Sequence, residues 1–212
     1  LLETFDVADG GAWPSRWAQL GGVQLADVQQ GRGRFRPTLA SYSLARLAVT
    51  VPSDVRSAEA TFSFMMTNAA TQGVGFYLRQ NGGYLQQTTP RGEGLAVFIE
   101  AFRSPARIGV WTELDGNELE RAFNPDAGPS SGVWYRARFR ITQQPSSTLM
   151  QARFWPEGQA EPSAWQVEFV ENAPQVQNES SHIAVDAWSS LTAGQGTAAD
   201  LFLDDIRVER LP

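Results

Sequence analysis

The chain of 212 residues is 42% hydrophobic and 11% aromatic, with 12 Phe, 7 Trp and 4 Tyr, enough to bury a sizeable core, which excludes a disordered or fibrous protein. Only 19% of it is charged and the formal net charge is −6, so it lacks the basic field a phosphate backbone requires, and nucleic acid is not an expected partner. With no Cys and one His, disulfide scaffolds, thiolate zinc sites, cysteine nucleophiles and histidine-rich metal centres are excluded as well.

Apolar residues recur at two-residue spacing far more often than at helical spacing, in short segments bounded by Gly, Pro, Asn or Ser, which predicts strands. Weak strand signals at Glu3–Asp6 and Gly31–Arg36 precede a strand over Tyr42–Thr50, and Ser53–Arg56 has room for one short turn of helix. Ser57–Met66 (Ala58, Ala60, Phe62, Phe64 and Met66 on one face), Gly73–Gln80 (Val74, Phe76, Leu78) and Leu95–Phe102 (Leu95, Val97, Ile99, Ala101) alternate cleanly. Arg107–Leu114 follows, then Asp115-Gly116-Asn117 supplies turn chemistry for a hairpin into Glu118–Phe123. Trp134–Thr142 sets Tyr135, Ala137, Phe139 and Ile141 against a polar face carrying Arg136, Arg138 and Arg140. Strands over Thr148–Trp155, Trp165–Val170, His182–Trp188 and Leu201–Arg210 complete the set, with a second short helical turn around Val176–Ser180.

No linker, repeat or composition shift divides the chain, so residues 1–212 are expected to form a single domain. About a dozen strands exceed a minimal immunoglobulin sandwich and suit an all-β, antiparallel two-sheet jelly roll. No run of about 18 apolar residues is long enough to span a bilayer, and Leu1-Leu2-Glu3 lacks the charged and apolar regions of a leader, so a soluble, already processed chain is expected. All 17 basic residues are Arg, a bias expected of a GC-rich bacterial genome.

The opening Glu3-Thr4-Phe5-Asp6 with Trp13 and Trp17, the central Gly73-Val74-Gly75-Phe76-Tyr77, the Gly132-Val133-Trp134-Tyr135-Arg136-Ala137-Arg138-Phe139 strand and the closing Phe202-Leu203-Asp204-Asp205-Ile206-Arg207-Val208 form a pattern along nearly the whole chain. It resembles the concanavalin A-like lectin/glucanase superfamily, which includes laminin G-like modules, legume lectins, glucanases and some polysaccharide lyases. That resemblance implies a concanavalin A-like jelly roll.

In the closing segment, alternation puts Phe202, Asp204, Ile206 and Val208 on one face, where an acid among core positions needs a cation or charge-assisted hydrogen bonds. The resemblance implies a structural calcium ion at Asp204 and a carbonyl ligand near Gly31, and Glu3, on the face shared with Phe5, is the candidate second ligand. The competing expectation is an Arg partner or a loop-capping role for Asp204.

Glu113-Leu114-Asp115-Gly116-Asn117-Glu118 has the E-x-D-x-x-E spacing of retaining glucanases in the superfamily, whose two Glu act as nucleophile and acid/base. That chemistry requires carboxyls about 5–5.5 Å apart on a rigid element. Gly116-Asn117 favours positive φ and chain reversal, so both acids are expected on a solvated hairpin tip. No Gln-x-His strand of the lyase type occurs, and no Gly-x-Ser-x-Gly elbow accompanies His182. His182 shares a face with Asp186 and Trp188 and is weighed as a general base against a hydrogen-bonded surface residue. Gly73-Val74-Gly75 lies inside a strand and lacks the dinucleotide-binding context.

Sugar recognition needs aromatic platforms beside planar polar groups on one face. Tyr77, Arg79, Glu100, Trp111 and Glu113 fall opposite their strands' apolar stripes, with Tyr84, Gln86 and Gln87 in the intervening hairpin, and together these are the candidate ligand-binding surface. The alternative is an ordinary second apolar layer that includes Phe98 and Phe102. Arg136, Arg138 and Arg140 are expected to pair with neighbouring acids, and Asn178-Glu179-Ser180 is a glycosylation pattern without weight in a bacterial chain. The expected protein is a secreted or cell-surface bacterial module that binds a glycan or other surface ligand and carries a structural calcium site. The alternatives are a polysaccharide-degrading hydrolase or lyase on the same fold and a protein-binding adhesion domain.

Overall fold

A computed structural model of the chain describes residues 1–40, 43–51, 56–125, 128–177 and 181–212. Its strands are β1 (Leu2–Glu3), β2 (Ala18–Gly21), β3 (Val23–Gln29), β4 (Arg32–Pro37), β5 (Leu44–Thr50), β6 (Ala58–Met66), β7 (Gln72–Gln80), β8 (Gly94–Glu100), β9 (Arg107–Leu114), β10 (Asn117–Pro125), β11 (Trp134–Gln143), β12 (Thr148–Pro156), β13 (Val167–Glu171), β14 (His182–Ser189) and β15 (Leu201–Arg210). The only helical pieces among the described residues are single 3₁₀ turns at Ala69–Thr71 and Pro174–Val176, and no helix is long and apolar enough to cross a membrane. Tyr42, most of the turn expected over Ser53–Arg56, and Asn178–Ser180 lie outside the described residues.

The strands form two antiparallel sheets. The first runs β13-β12-β11-β6-β15-β4-β3, with β1 added beside β15, and the second runs β10-β9-β8-β7-β14-β5-β2. Alternation explains the core between them. β6 buries Ala58, Ala60, Phe62, Phe64 and Met66, and its neighbour β11 buries Tyr135, Ala137, Phe139 and Ile141 in register, Phe62 opposite Ala137 and Phe64 opposite Tyr135. The second sheet returns Val74, Phe76, Leu78, Val97, Ile99, Ile108, Val110, Ile183 and Val185 to the same core, where Phe62 stacks on Phe76. This is the antiparallel two-sheet jelly roll that the strand pattern predicts.

β2 and β3 are not anticipated from the sequence: β2 is four residues long, and β3 is bent by a register shift between Val23 and Leu25 that breaks its alternation. A second shift corrects the reading of β15. Its core side chains are Leu201, Leu203, Ile206 and Val208, and an extra residue between Asp204 and Arg207, with Asp205 at φ 47°, resets the phase. Asp204 therefore shares the outer face with Phe202 rather than entering the core.

Candidate functional site

The second sheet is covered on both sides. Strands β5, β7 and β8 bury nearly every residue, because their outer faces carry a second apolar layer built from Leu44, Ala48, Tyr77, Ala96, Phe98, Trp111 and Ala184, roofed by Tyr84 and Leu85 from the β7–β8 connection. Gly75 makes the layer possible: a Cβ there would meet the Phe98 ring at 2.6 Å, so this position must be glycine for the ring to lie across β7. The hydroxyl of Tyr84 donates to the Leu44 carbonyl at 2.6 Å and fixes the roof to β5.

Beneath the roof lies a buried ionic cluster. Arg46 on β5 donates Nε to Asp186 Oδ1 and Nη2 to Asp186 Oδ2, both at 2.8 Å, and Nη1 to Glu113 Oε2 at 2.6 Å, while its Nη2 lies 3.5 Å from Glu118 Oε1. Its guanidinium carbon sits 4.2 Å from the centre of the Tyr77 ring, and the Tyr77 hydroxyl donates to Glu118 Oε1 at 2.7 Å. Glu113 also accepts the Leu85 N–H at 3.0 Å, and a Cβ at Gly92 would collide with its carboxylate, so roof and carboxylate fit only around a glycine.

One cation faces three acids here, and burial decides the consequences. Arg46 stays charged, its pKa held well above the ordinary value because the attraction of Asp186, Tyr77 and Glu113 outweighs desolvation. Burial raises Asp186 and Glu113 against the pull of Arg46. It pushes Glu118 up to about 8, with Asp186 and Glu113 adding repulsion that Arg46 and the Tyr77 hydrogen bond only partly offset.

Glu118 also reaches the surface. A groove of about 900 Å³ runs over this face, lined by Leu85, Gln86 and Gln87 of the β7–β8 connection, by Phe102, Arg103 and Trp188, and by Trp111, Asn117 and Glu118. Phe98 makes edge contacts to both Trp111 and Trp188, at 5.6 and 5.9 Å between ring centres, so the two indoles are held by a common neighbour. Such a floor offers apolar ring faces beside amide, carboxyl and guanidinium groups.

The eight residues of the expected ligand-binding surface are placed differently from one another, with Gln86 and Gln87 in the groove lining. Trp111 lines the groove at 7% exposure. Tyr77, Tyr84 and Glu113 lie on the same face but beneath it, sealed from solvent as roof and cluster members. Glu100 is buried at the end of β8 between Arg103 and Arg107. Arg79 requires a correction: β7 holds one extra residue opposite His182–Ala184, Arg79 takes φ 51°, and its guanidinium reaches across to Thr148 Oγ1 of the first sheet and the Val176 carbonyl.

The solvated hairpin tip is also corrected. Asp115 and Gly116 form a two-residue turn with φ of 50° and 77°, but this turn makes Glu113 and Glu118 direct cross-strand partners, both facing inward on Arg46. His182 lies so that a Cβ at Gly82 would meet its ring at 3.4 Å, its Nδ1 is 3.4 Å from the Ser181 hydroxyl, and Asp186, on its face, is committed to Arg46. Arg138 and Arg140 pair with Glu59, and Arg138 also with Glu161, as expected of such a stripe.

The expected calcium ligands do not fit an ion. Glu3 is buried with Oε1 accepting the Phe5 N–H and Oε2 accepting Arg16 and the Trp17 indole N–H, so its lone pairs and its charge are already used. Asp204 accepts the Asp205 N–H and lies 3.6 Å from Arg32, while Gly31 occupies the β3–β4 turn with φ 69°. Among the described residues no three acidic or His side chains cluster in a way that would hold a metal.

Sequence reasoning missed Arg46 as the organising residue and did not join Asp186 to Glu113 and Glu118. The available signal is a single charge inside each of two otherwise apolar strands, Leu44-Ala45-Arg46-Leu47-Ala48 and Ile183-Ala184-Val185-Asp186-Ala187. Burial on both strand faces makes lone charges partners of one another.

No protein-family model and no curated protein sequence matches the chain. Solved structures do. The exoplasmic/lumenal domain of VIP36 in a Ca²⁺/Man-bound form superposes with TM-score 0.58 at 12% identity over 92% of this chain and 83% of that one. A protein of unknown function with a galectin-like fold from Bacillus subtilis gives 0.57 at 12% identity over 96% and 97%. A structure of endo-acting O-glycanases expressed by human gut microbiota gives 0.60 at 11% identity over 100% and 99%. The fold is a concanavalin A-like jelly roll, and identities this low speak to the fold alone.

Proposed function

We propose that the chain is a carbohydrate-binding β-sandwich module, acting outside the cell as one unit, whose ligand lies in the groove over the second sheet. One observation carries this reading: Trp111, Trp188 and Phe102 line a single groove with the planar polar groups of Gln86, Gln87, Asn117 and Glu118. Several fold neighbours are described as sugar-bound or glycan-cleaving, which agrees with the reading. A two-carboxylate hydrolase is less well supported, because Glu113, the residue its spacing casts as nucleophile, is at 0% exposure with both oxygens hydrogen-bonded beneath Leu85 and Gly92. The reading gives calcium no part at Glu3, Gly31 or Asp204.

The test is a glycan microarray, followed by affinity electrophoresis in gels cast with the polysaccharides retained. Binding lost at least tenfold in Trp188→Ala, without product release from those polysaccharides, supports the module. Release of reducing ends that Glu118→Gln abolishes would replace it with the hydrolase.

A further inference from the structure

We infer that the groove takes an uncharged saccharide, and that Glu118 recognises it as a hydrogen-bond donor, through Oε2, in the form of a neutral carboxylic acid. This rests on the groove reading above and adds to it the charge class of the ligand and the atom that reads it.

The geometry comes first. Oε1 of Glu118 accepts the Tyr77 hydroxyl at 2.7 Å and is also the oxygen that approaches Arg46, 3.5 Å from Nη2, so the hydrogen-bond donor and the closest ion-pair contact of this carboxyl are on one oxygen. No hydrogen bond from the described residues reaches Oε2, and the side chain, 12% exposed, lines the groove. A carboxyl whose first oxygen accepts a hydrogen bond and faces a cation carries its proton on the second, and that oxygen is the one left to a ligand.

The charges point the same way. The groups facing Glu118 are Arg46 from β5, Asp186 from β14, Glu113 from β9 and Tyr77 from β7, with Tyr84 above Arg46. Arg46 already satisfies Asp186 bidentately and Glu113 through Nη1, so two carboxylates share one cation before Glu118 is counted. Burial, reinforced by Asp186 and Glu113, therefore holds the Glu118 proton up to about pH 8. The groove's other charged lining residue, Arg103, donates both Nε and Nη2 to Glu100 and is neutralised. A uronate, sialate or sulfate would thus enter over an excess of buried negative charge, whereas a hydroxyl or ring oxygen meets a donor.

The experiment is calorimetric titration of a neutral oligosaccharide retained on the array and of its uronate-bearing counterpart at pH 6, 7 and 9, with the parent chain, Glu118→Ala and Glu118→Gln. The neutral ligand should bind at least tenfold more tightly than the acidic one. Its affinity should fall about tenfold between pH 7 and pH 9 as the protonated fraction falls. Glu118→Ala should lose tenfold or more, and Glu118→Gln, whose amide can accept from Tyr77 and donate to the ligand, should recover most of that loss and be flat with pH. Equal affinity for the acidic ligand, or a Glu118→Gln as weak as the alanine variant, overturns the proposal. Carbon-13 NMR of the Glu118 carboxyl, assigned by its absence in Glu118→Gln, reads the proton without any ligand. Titration near pH 8 supports the donor even if the array is blank and the groove reading fails, and titration in the ordinary glutamate range overturns it.

Discussion

Arg46 and Asp186 are direct partners across the β5–β14 ladder, joined by two hydrogen bonds of 2.8 Å with neither side chain exposed. The same guanidinium holds Glu113, which in turn accepts the Leu85 N–H of the roof. One side chain thus ties β5, β14, β9 and the β7–β8 connection together, and the groove wall formed by Leu85, Gln86 and Gln87 depends on it.

Removing that cation leaves buried acids without compensation. Arg46→Met should lower unfolding free energy by about 3–5 kcal/mol at pH 7, the range for breaking a buried ion pair from one side. The loss should shrink at pH 5, where the stranded carboxyls, already raised by burial, take up protons. Urea unfolding at both pH values checks this, and an effect below about 1 kcal/mol at pH 7 would contradict the assigned role.

Glu118 should give stability an alkaline dependence. Its carboxyl titrates near 4.5 when unfolded and at about 8 when folded, so the native state holds a proton that the unfolded chain has lost in between. Its contribution is fully present below pH 4.5 and is lost as pH rises to about 8, at about 1.4 kcal/mol per pH unit. Comparing unfolding free energies of the parent and Glu118→Gln from pH 5 to pH 9 isolates this slope, which should vanish in the variant. Parallel curves would contradict a buried, protonated carboxyl.

The division between what the sequence discloses and what it hides follows from this arrangement. Residues with one solvated face disclose themselves: the alternation in β11 marks Tyr135, Ala137, Phe139 and Ile141 as core and the Arg stripe as surface. The outer face of the second sheet is not solvated, so Tyr77 and Glu113 look like binding residues by alternation although a roof seals them. Bulges do the rest. One extra residue in β7 sends Arg79 to the opposite sheet, and one in β15 sends Asp204 out of the core, and neither Leu78-Arg79-Gln80 nor Asp204-Asp205-Ile206 carries a glycine to announce it.

The two groove tryptophans should separate binding from stability. Trp111 is nearly enclosed and packs on Phe98, so Trp111→Ala should cost about 3–5 kcal/mol of stability together with binding. Trp188 is partly exposed at the groove wall, so Trp188→Ala should weaken ligand retention at least tenfold while costing less than about 2 kcal/mol. Affinity electrophoresis beside thermal unfolding resolves the two, and equal stability losses with unchanged retention in both variants would remove the indoles from the site.

Calcium should not stabilise this chain. A ligand bound only to the folded state raises stability as RT ln(1 + [L]/Kd), about 4 kcal/mol when free calcium is a thousandfold above Kd. Glu3 already has Arg16, Trp17 and the Phe5 amide as partners, and Asp204, although burial holds its carboxyl above the usual range, has Arg32 at 3.6 Å and no two further acidic or His side chains clustered with it among the described residues to complete a ligand set. Thermal unfolding in excess EDTA and in millimolar calcium should therefore superimpose. Glu3→Ala should lower stability by about 2–4 kcal/mol by leaving the Trp17 indole and the Phe5 N–H unsatisfied, whereas Asp204→Ala should change it by less than about 1 kcal/mol. A calcium-dependent rise that Asp204→Ala abolishes would mean that Arg32 yields its place to an ion and that the side chains rearrange to bind it.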